Sequence, residues 1–254
     1  MILEGLLFIF IGIAILVFFY KQAIMEFRLA QTDTFDKVPE LLKEKIPLVI
    51  QPFPIPQQLW THADIEQRQT LGQILIPVLD MTIAETLNQD GLVSWTPDFA
   101  NEVAITTGLP VWAEQTLKPV FQNASLLSAL YSYRTEVYLG SQGLQSTFGL
   151  VTILVVTDGI AAVTLLNEQS DPYLPKFWKG KLMSKLTRDE APLIGQIQCI
   201  DVILRPGSCL VIPPHWKYCI EEQDSIKPIC SVKIAVHHPI SKYVEKIINR
   251  SKQN

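Results

Sequence analysis

The sequence is poor in the residues that most metal and nucleic-acid chemistry requires. It holds 4 histidines and 4 cysteines in 254 residues. Cys199, Cys209, Cys219 and Cys230 form no CxxC or CxH pair, so no zinc site is expected from them. They recur about every ten residues, as successive strands do. They read as small buried thiols, since disulfides would need an oxidising compartment. There is no basic excess: 21 Lys and Arg stand against 25 Asp and Glu, for a net charge of −4. A nucleic-acid partner is therefore not expected, because phosphate binding needs clustered cations. No GxSxG, GxGxxG or P-loop is present, which removes the common nucleophile-elbow, dinucleotide and nucleotide sites. Glycines are fewer than prolines, 12 against 17, a balance that favours stiff turns over a helical bundle. The length suits one large domain or two small ones.

Charge is also missing from one long run. Residues 5–20, GLLFIFIGIAILVFFY, carry none, and only Glu4 interrupts the apolar stretch that starts at Ile2. At about 1.5 Å per residue such a helix spans roughly 24 to 29 Å, close to the thickness of a bilayer's hydrocarbon core. The leading MILE is not basic and FFYKQ offers no small-residue cleavage site. Residues 1–22 therefore read as an uncleaved transmembrane anchor, touching the lipid bilayer through residues 2–20, ahead of a cleaved signal or a buried helix. Lys21 and Arg28 follow the run and no Lys or Arg precedes it, which puts the C-terminal part of a single-pass membrane protein on the cytoplasmic side. Two glycosylation triplets, Asn123-Ala124-Ser125 and Asn249-Arg250-Ser251, point the other way. Residues 23–33 read as a stalk, 34–240 as the main domain, and 241–254 as a short helix and tail.

Within the main domain, FDKVPELLKEK reads as a helix and IPLVIQPF as a strand. A helix or turn surrounds Trp60, ILIPVL is a short strand, and MTIAETLNQD is a helix stopped by Gly91. Residues 97–132 are mixed. From Thr135 the pattern turns to short apolar strands broken at Gly143 and Asp158-Gly159, and four more follow from Gln196 to His238. Strands at this spacing favour a sandwich or small barrel. Between the two groups, Lys176 to Arg188 form a basic stretch with Phe177 and Trp178. It reads as a covering loop, or as a face for lipid headgroups or a partner.

The segment VILRPGSCLVIPPHWKYCIE (residues 202–221) carries the most specific pattern. Gly207 through Tyr218 resembles the Gly-x-x-Leu-x-Ile-Pro-x-x-Trp-x-His motif of cupin-like JmjC-type domains. IPLVIQPFP before Trp60, GLPVWAEQTLKPVF and TEVYLGSQG resemble further family segments in the same order, so that the resemblance spans about Phe35 to His237. It implies a mainly β chain with flanking helices: a double-stranded β-helix, cupin- or jelly-roll-like, preceded here by the one transmembrane helix. It also implies kinship with the hydroxylases that use Fe(II) and 2-oxoglutarate.

That chemistry needs two histidines and a carboxylate on iron. The family's His-x-Asp would fall within residues 144–150, which read LQSTFGL, without His, Asp or Glu. The third ligand would fall at Tyr218, and a neutral phenol is a poor substitute for imidazole. The basic residue that fixes the cosubstrate would follow Gly159, where Ile160-Ala161-Ala162 stand. No catalytic, cofactor-binding or metal residue is therefore expected, and no cofactor. His62-Ala63-Asp64 spells His-x-Asp but lies before the barrel strands and reads as a surface turn. His215 reads as a loop residue. His237 and His238, as neighbours on a strand, cannot both face one interior. Gly207, Pro213, Pro214 and Trp216 read as structural, with Trp216 in the wall. The resulting expectation is a membrane-anchored, non-catalytic, cupin-like structural or interaction module, with protein partners or a homo-oligomer. By analogy with the cupin-like proteins of large DNA viruses, a virion membrane or minor capsid component would fit. The alternative is a divergent oxygenase or a metal-free barrel that binds a small molecule.

Overall fold

A computed structural model of the chain describes residues 7, 9–15, 18, 27–34, 37–56, 58–77, 79–88, 95–122, 130–223, 227–239 and 241–242. The first part alternates short elements: β1 (Ala30–Thr32), α1 (Val38–Lys43), β2 (Leu48–Ile50), α2 (His62–Gln67), α3 (Gln69–Gly72), β3 (Leu75–Ile76), β4 (Met81–Thr82) and α4 (Ile83–Thr86). Two longer helices follow, α5 (Pro97–Thr107) and α6 (Leu109–Gln122). The signals for α5 are local. The Thr96 hydroxyl accepts from the Phe99 N–H at 3.3 Å, Pro97 sits in the first turn, and Gly108 ends the helix at φ +80°. Threonine caps, first-turn proline and a left-handed glycine are the expected helix punctuation.

Strands then dominate: β5 (Ser132–Leu139), β6 (Gln142–Ser146), β7 (Val151–Asp158), β8 (Ala161–Leu166), β9 (Cys199–Leu204), β10 (Cys209–Ile212), β11 (Lys217–Glu222) and β12 (Cys230–His237). They divide between a six-stranded sheet of order β1-β2-β10-β7-β12-β5 and a four-stranded sheet of order β6-β11-β8-β9. β3 and β4 pair separately. All the pairs in the two larger sheets are antiparallel except β1 with β2.

Side-chain alternation along these strands sets the layers. Val137, Leu139, Ile153, Val232 and Ile234 pack with Trp60, Phe99, Val103 and Leu117 in one core, on the helix side of the six-stranded sheet. Leu154, Val156, Leu210 and Ile212 point the other way and meet Val163, Leu165, Trp216, Tyr218 and Ile220 of the four-stranded sheet. A third, smaller core joins Leu144, Leu166 and Cys219 to Leu174 and Leu182 of the connection between β8 and β9. That connection is thus a strap over the outer side of the four-stranded sheet.

Two expectations need correction. The chain is not a mainly β barrel: among the described residues it is a mixed α/β structure, about 34% helix and 30% strand, in several sheets. Helices α5 and α6 take up residues 97–122 of the stretch read as mixed, and they add enough helix to change the class. Among the described residues the sheets stay separate hydrogen-bonded units and close no barrel. The second correction concerns the anchor. Among the described residues no helix is long and apolar enough to cross a membrane, against the expected transmembrane anchor and single-pass location. Residues 7, 9–15 and 18 are helical, with Phe10 70% and Ile13 47% exposed. The rest of 1–26 apart from residues 7 and 18, both glycosylation triplets apart from their described neighbours, and the tail from 243 lie outside the described residues.

Candidate functional site

The space between the two larger sheets is apolar at one end and charged at the other. Antiparallel pairing of β12 with β5 sets Lys233 opposite Glu136 and Ser231 opposite Tyr138. These residues alternate with the helix-facing Val137, Val232 and Ile234, so their side chains point to the four-stranded sheet. Lys233 Nζ lies 2.6 Å from Glu136 Oε2, with the two side chains only 17% and 5% exposed. Tyr138 donates its hydroxyl to the same Oε2 at 2.7 Å, and Arg134 Nε reaches Oε1 at 2.8 Å. The Lys233 ammonium also lies 5.8 Å from the Tyr138 ring centroid.

From the facing sheet comes Tyr218, fully buried. Its hydroxyl donates to Gln145 Oε1 at 3.0 Å. Gln145 Nε2 donates to Gln142 Oε1 at 3.2 Å, and Gln142 Nε2 donates to Ser231 Oγ at 3.1 Å. This run of hydrogen bonds leads from β11 through β6 to β12 and links the two sheets.

The electrostatics follow from burial and neighbours. Burial pushes the Tyr218 and Tyr138 hydroxyls above their ordinary range, and the Lys233 ammonium offsets only part of that. Burial lowers the Lys233 ammonium, but its neighbours Tyr218, Tyr138 and Glu136 outweigh that and hold it above its usual range. A lysine so held is a cation and not a nucleophile, since nucleophilic lysines need a depressed value. Glu136 is engaged by a lysine, a tyrosine and an arginine, which leaves it poorly placed to act as a base or to ligate a metal.

Tyr218 pairs directly with Gln145 across the β11–β6 ladder. The structure thus brings the expected third-ligand position against the 144–150 stretch expected to hold the other ligands. Neutral oxygens and amides meet there. Ala161 begins β8 beside Leu204, so a small apolar side chain stands where the resemblance calls for a basic residue.

The remaining predicted residues serve local structure. His62 is not a simple surface turn: it opens α2, where Nε2 donates to the Pro228 carbonyl at 2.6 Å and Nδ1 lies 2.9 Å from Asp158 Oδ2. Asp64 accepts from the Trp60 N–H at 3.0 Å and pairs with Arg68 at 2.7 Å. Neither residue joins the Tyr218 network. His215 sits at φ +71° in the turn after Pro213-Pro214 and donates its N–H to the Thr147 carbonyl at 3.3 Å. Thr147 donates its hydroxyl to the Pro213 and Trp216 carbonyls at 2.7 and 2.9 Å. Trp216 is 4% exposed and stacks on Phe27 at 6.1 Å. Gly207 turns at φ +91°, and its carbonyl accepts from the Phe53 N–H at 2.8 Å. His237 and His238 are both buried; His238 meets the Tyr131 ring edge-on at 5.8 Å. All four cysteines are free, and only Cys199 is exposed. Among the described residues no group of three or more His, Cys, Asp or Glu is placed to hold a metal ion.

Sequence reasoning missed Glu136 and Lys233. The available signal was a lone charge inside each of two apolar strands, TEVYL and CSVKIAV, but the register that joins them is a property of the sheet.

No protein-family model matches the chain, and a search of curated proteins returns no match.

Proposed function

We propose that the chain is a non-catalytic relative of the JmjC-type hydroxylases, acting as a structural or interaction module with protein partners or further copies of itself. The observation that carries this reading is the Lys233–Glu136–Tyr138 cluster beside Tyr218. At the position where the resemblance calls for an iron ligand stands a buried phenol bonded to an amide. The nearby carboxylate is already neutralised by an internal lysine. A metal entering here would have to displace the ammonium from Glu136, and would find no imidazole in the cluster to replace it. Filled in this way, the polar end of the inter-sheet space links two sheets and activates nothing. By family analogy alone, a minor structural component of a large DNA virus particle is one such role.

The test is turnover. Purified protein given Fe(II), ascorbate, oxygen and 2-oxoglutarate is expected to release no succinate above a protein-free control. Succinate release that is lost in a Tyr218→Phe variant would overturn the reading and favour a divergent oxygenase.

A further inference from the structure

From Pro172 to Arg188 the strap carries Lys176, Lys179, Lys181, Lys185 and Arg188 and no carboxylate. The net charge of −4 less these +5 leaves −9 for the remainder of the chain. Only Lys181 of the five is ion-paired among the described residues, to Glu190 at 2.7 Å. The strap is held in place from beneath. Leu174 and Leu182 are buried, Gly180 N–H donates to the Leu144 carbonyl at 2.9 Å, and Leu144 N–H donates to the Lys181 carbonyl at 2.8 Å. The ammonium of Lys217, itself buried, lies 5.5 Å from the Trp178 ring centroid. Between these anchors Phe177 stands 84% exposed, flanked by exposed Lys176 and Lys179.

We propose that this strap is a docking surface for an acidic segment of another protein, with Phe177 packing against apolar side chains of that segment and Lys176 and Lys179 meeting its carboxylates. The inference rests on the interaction-module reading and names the chemistry of its partner. A fixed aromatic anchor ringed by charge is the kind of feature that concentrates binding energy, because little conformational freedom is lost on docking. Two copies meeting symmetrically through this face would set like charges against each other. A flat anionic membrane would also meet the exposed Asp171, Asp189 and Glu190 that border the strap, whereas a narrow acidic segment can meet Lys176, Phe177 and Lys179 alone.

The experiment titrates the full chain into a fluorescent peptide of alternating glutamate and leucine, at low and at physiological salt. Expected is saturable binding that weakens with salt and drops about tenfold in Phe177→Ala and again in Lys176→Glu/Lys179→Glu, with an unchanged melting temperature. Absence of binding, or binding indifferent to both variants, would overturn the proposal. So would Phe177-dependent capture by phosphatidylserine vesicles without peptide binding. A chain that binds the peptide but also releases succinate overturns the non-catalytic reading alone. One that is idle in turnover and ignores the peptide overturns this proposal alone.

Discussion

The two faces of the six-stranded sheet are built from the same strands to opposite ends. On the helix side, Val137, Leu139, Val232, Ile234 and Val236 meet Trp60, Phe99 and Val103 without a charge between them. One residue along on each strand, the other side presents Glu136, Tyr138, Ser231 and Lys233 to the four-stranded sheet. The first face is satisfied by any side chains of suitable volume. The second depends on specific partners, since a buried charge is tolerated only when paired and hydrogen-bonded. Because apolar residues of similar volume can stabilise as well as a buried ion pair, what the second face adds is partner-specific geometry more than net stability.

Single and double replacements separate these possibilities most strongly. Lys233→Met alone or Glu136→Leu alone should cost about 3–5 kcal/mol, because each leaves a buried charge without its partner. The double variant should recover most of that. Urea unfolding of the four proteins measures the coupling; additive losses would mean that the two residues do not act as a pair. Trp216→Ala probes the apolar end of the same space and should cost about 3 kcal/mol, through lost area and the stack on Phe27. An unchanged unfolding midpoint would remove Trp216 from that core. Tyr218→Phe should be milder, about 1 kcal/mol for the hydroxyl's bond to Gln145.

The smallest effect is one of pH. Burial holds the Tyr138 and Tyr218 hydroxyls above their ordinary range. The folded chain therefore keeps protons that the unfolded chain releases above about pH 10. The stability this contributes is complete below that pH and declines as pH rises past it. Urea midpoints taken from about pH 9 to about pH 11 should fall, and fall less steeply in Tyr218→Phe. Equal slopes would mean that Tyr218 is not withheld from titration.

How far the sequence could be read differs along the same division. Strands β5 and β7 to β12 announce themselves through runs such as TILVVTD and CSVKIAV bounded by Gly159, Gly207 and Pro213-Pro214, because β-branched periodicity and turn chemistry are local, whereas β6 does not, since Gly143 reads as a break and lies inside it. Local signals also existed for α5, where Thr96, Pro97 and Gly108 mark both ends. The mixed composition of 97–132 masks them, and a mainly β reading follows. The charged cluster was out of reach for another reason. Nothing within TEVYL or CSVKIAV says that residue 136 lies opposite residue 233; a shift of one residue would send every side chain to the other face. Likewise the sequence shows a phenol at 218 where the resemblance calls for an imidazole, but its partner Gln145 becomes visible only when β6 and β11 pair.

The most direct test of the central claim is iron occupancy. The full chain, purified anaerobically and titrated with Fe(II) against a competing chelator, should retain far less than one equivalent. Tyr218→His should do no better, because the residues around it supply no second imidazole. Tight uptake of one ferrous ion per chain, abolished by replacing Glu136, would contradict the claim that an internal lysine already occupies that end of the fold.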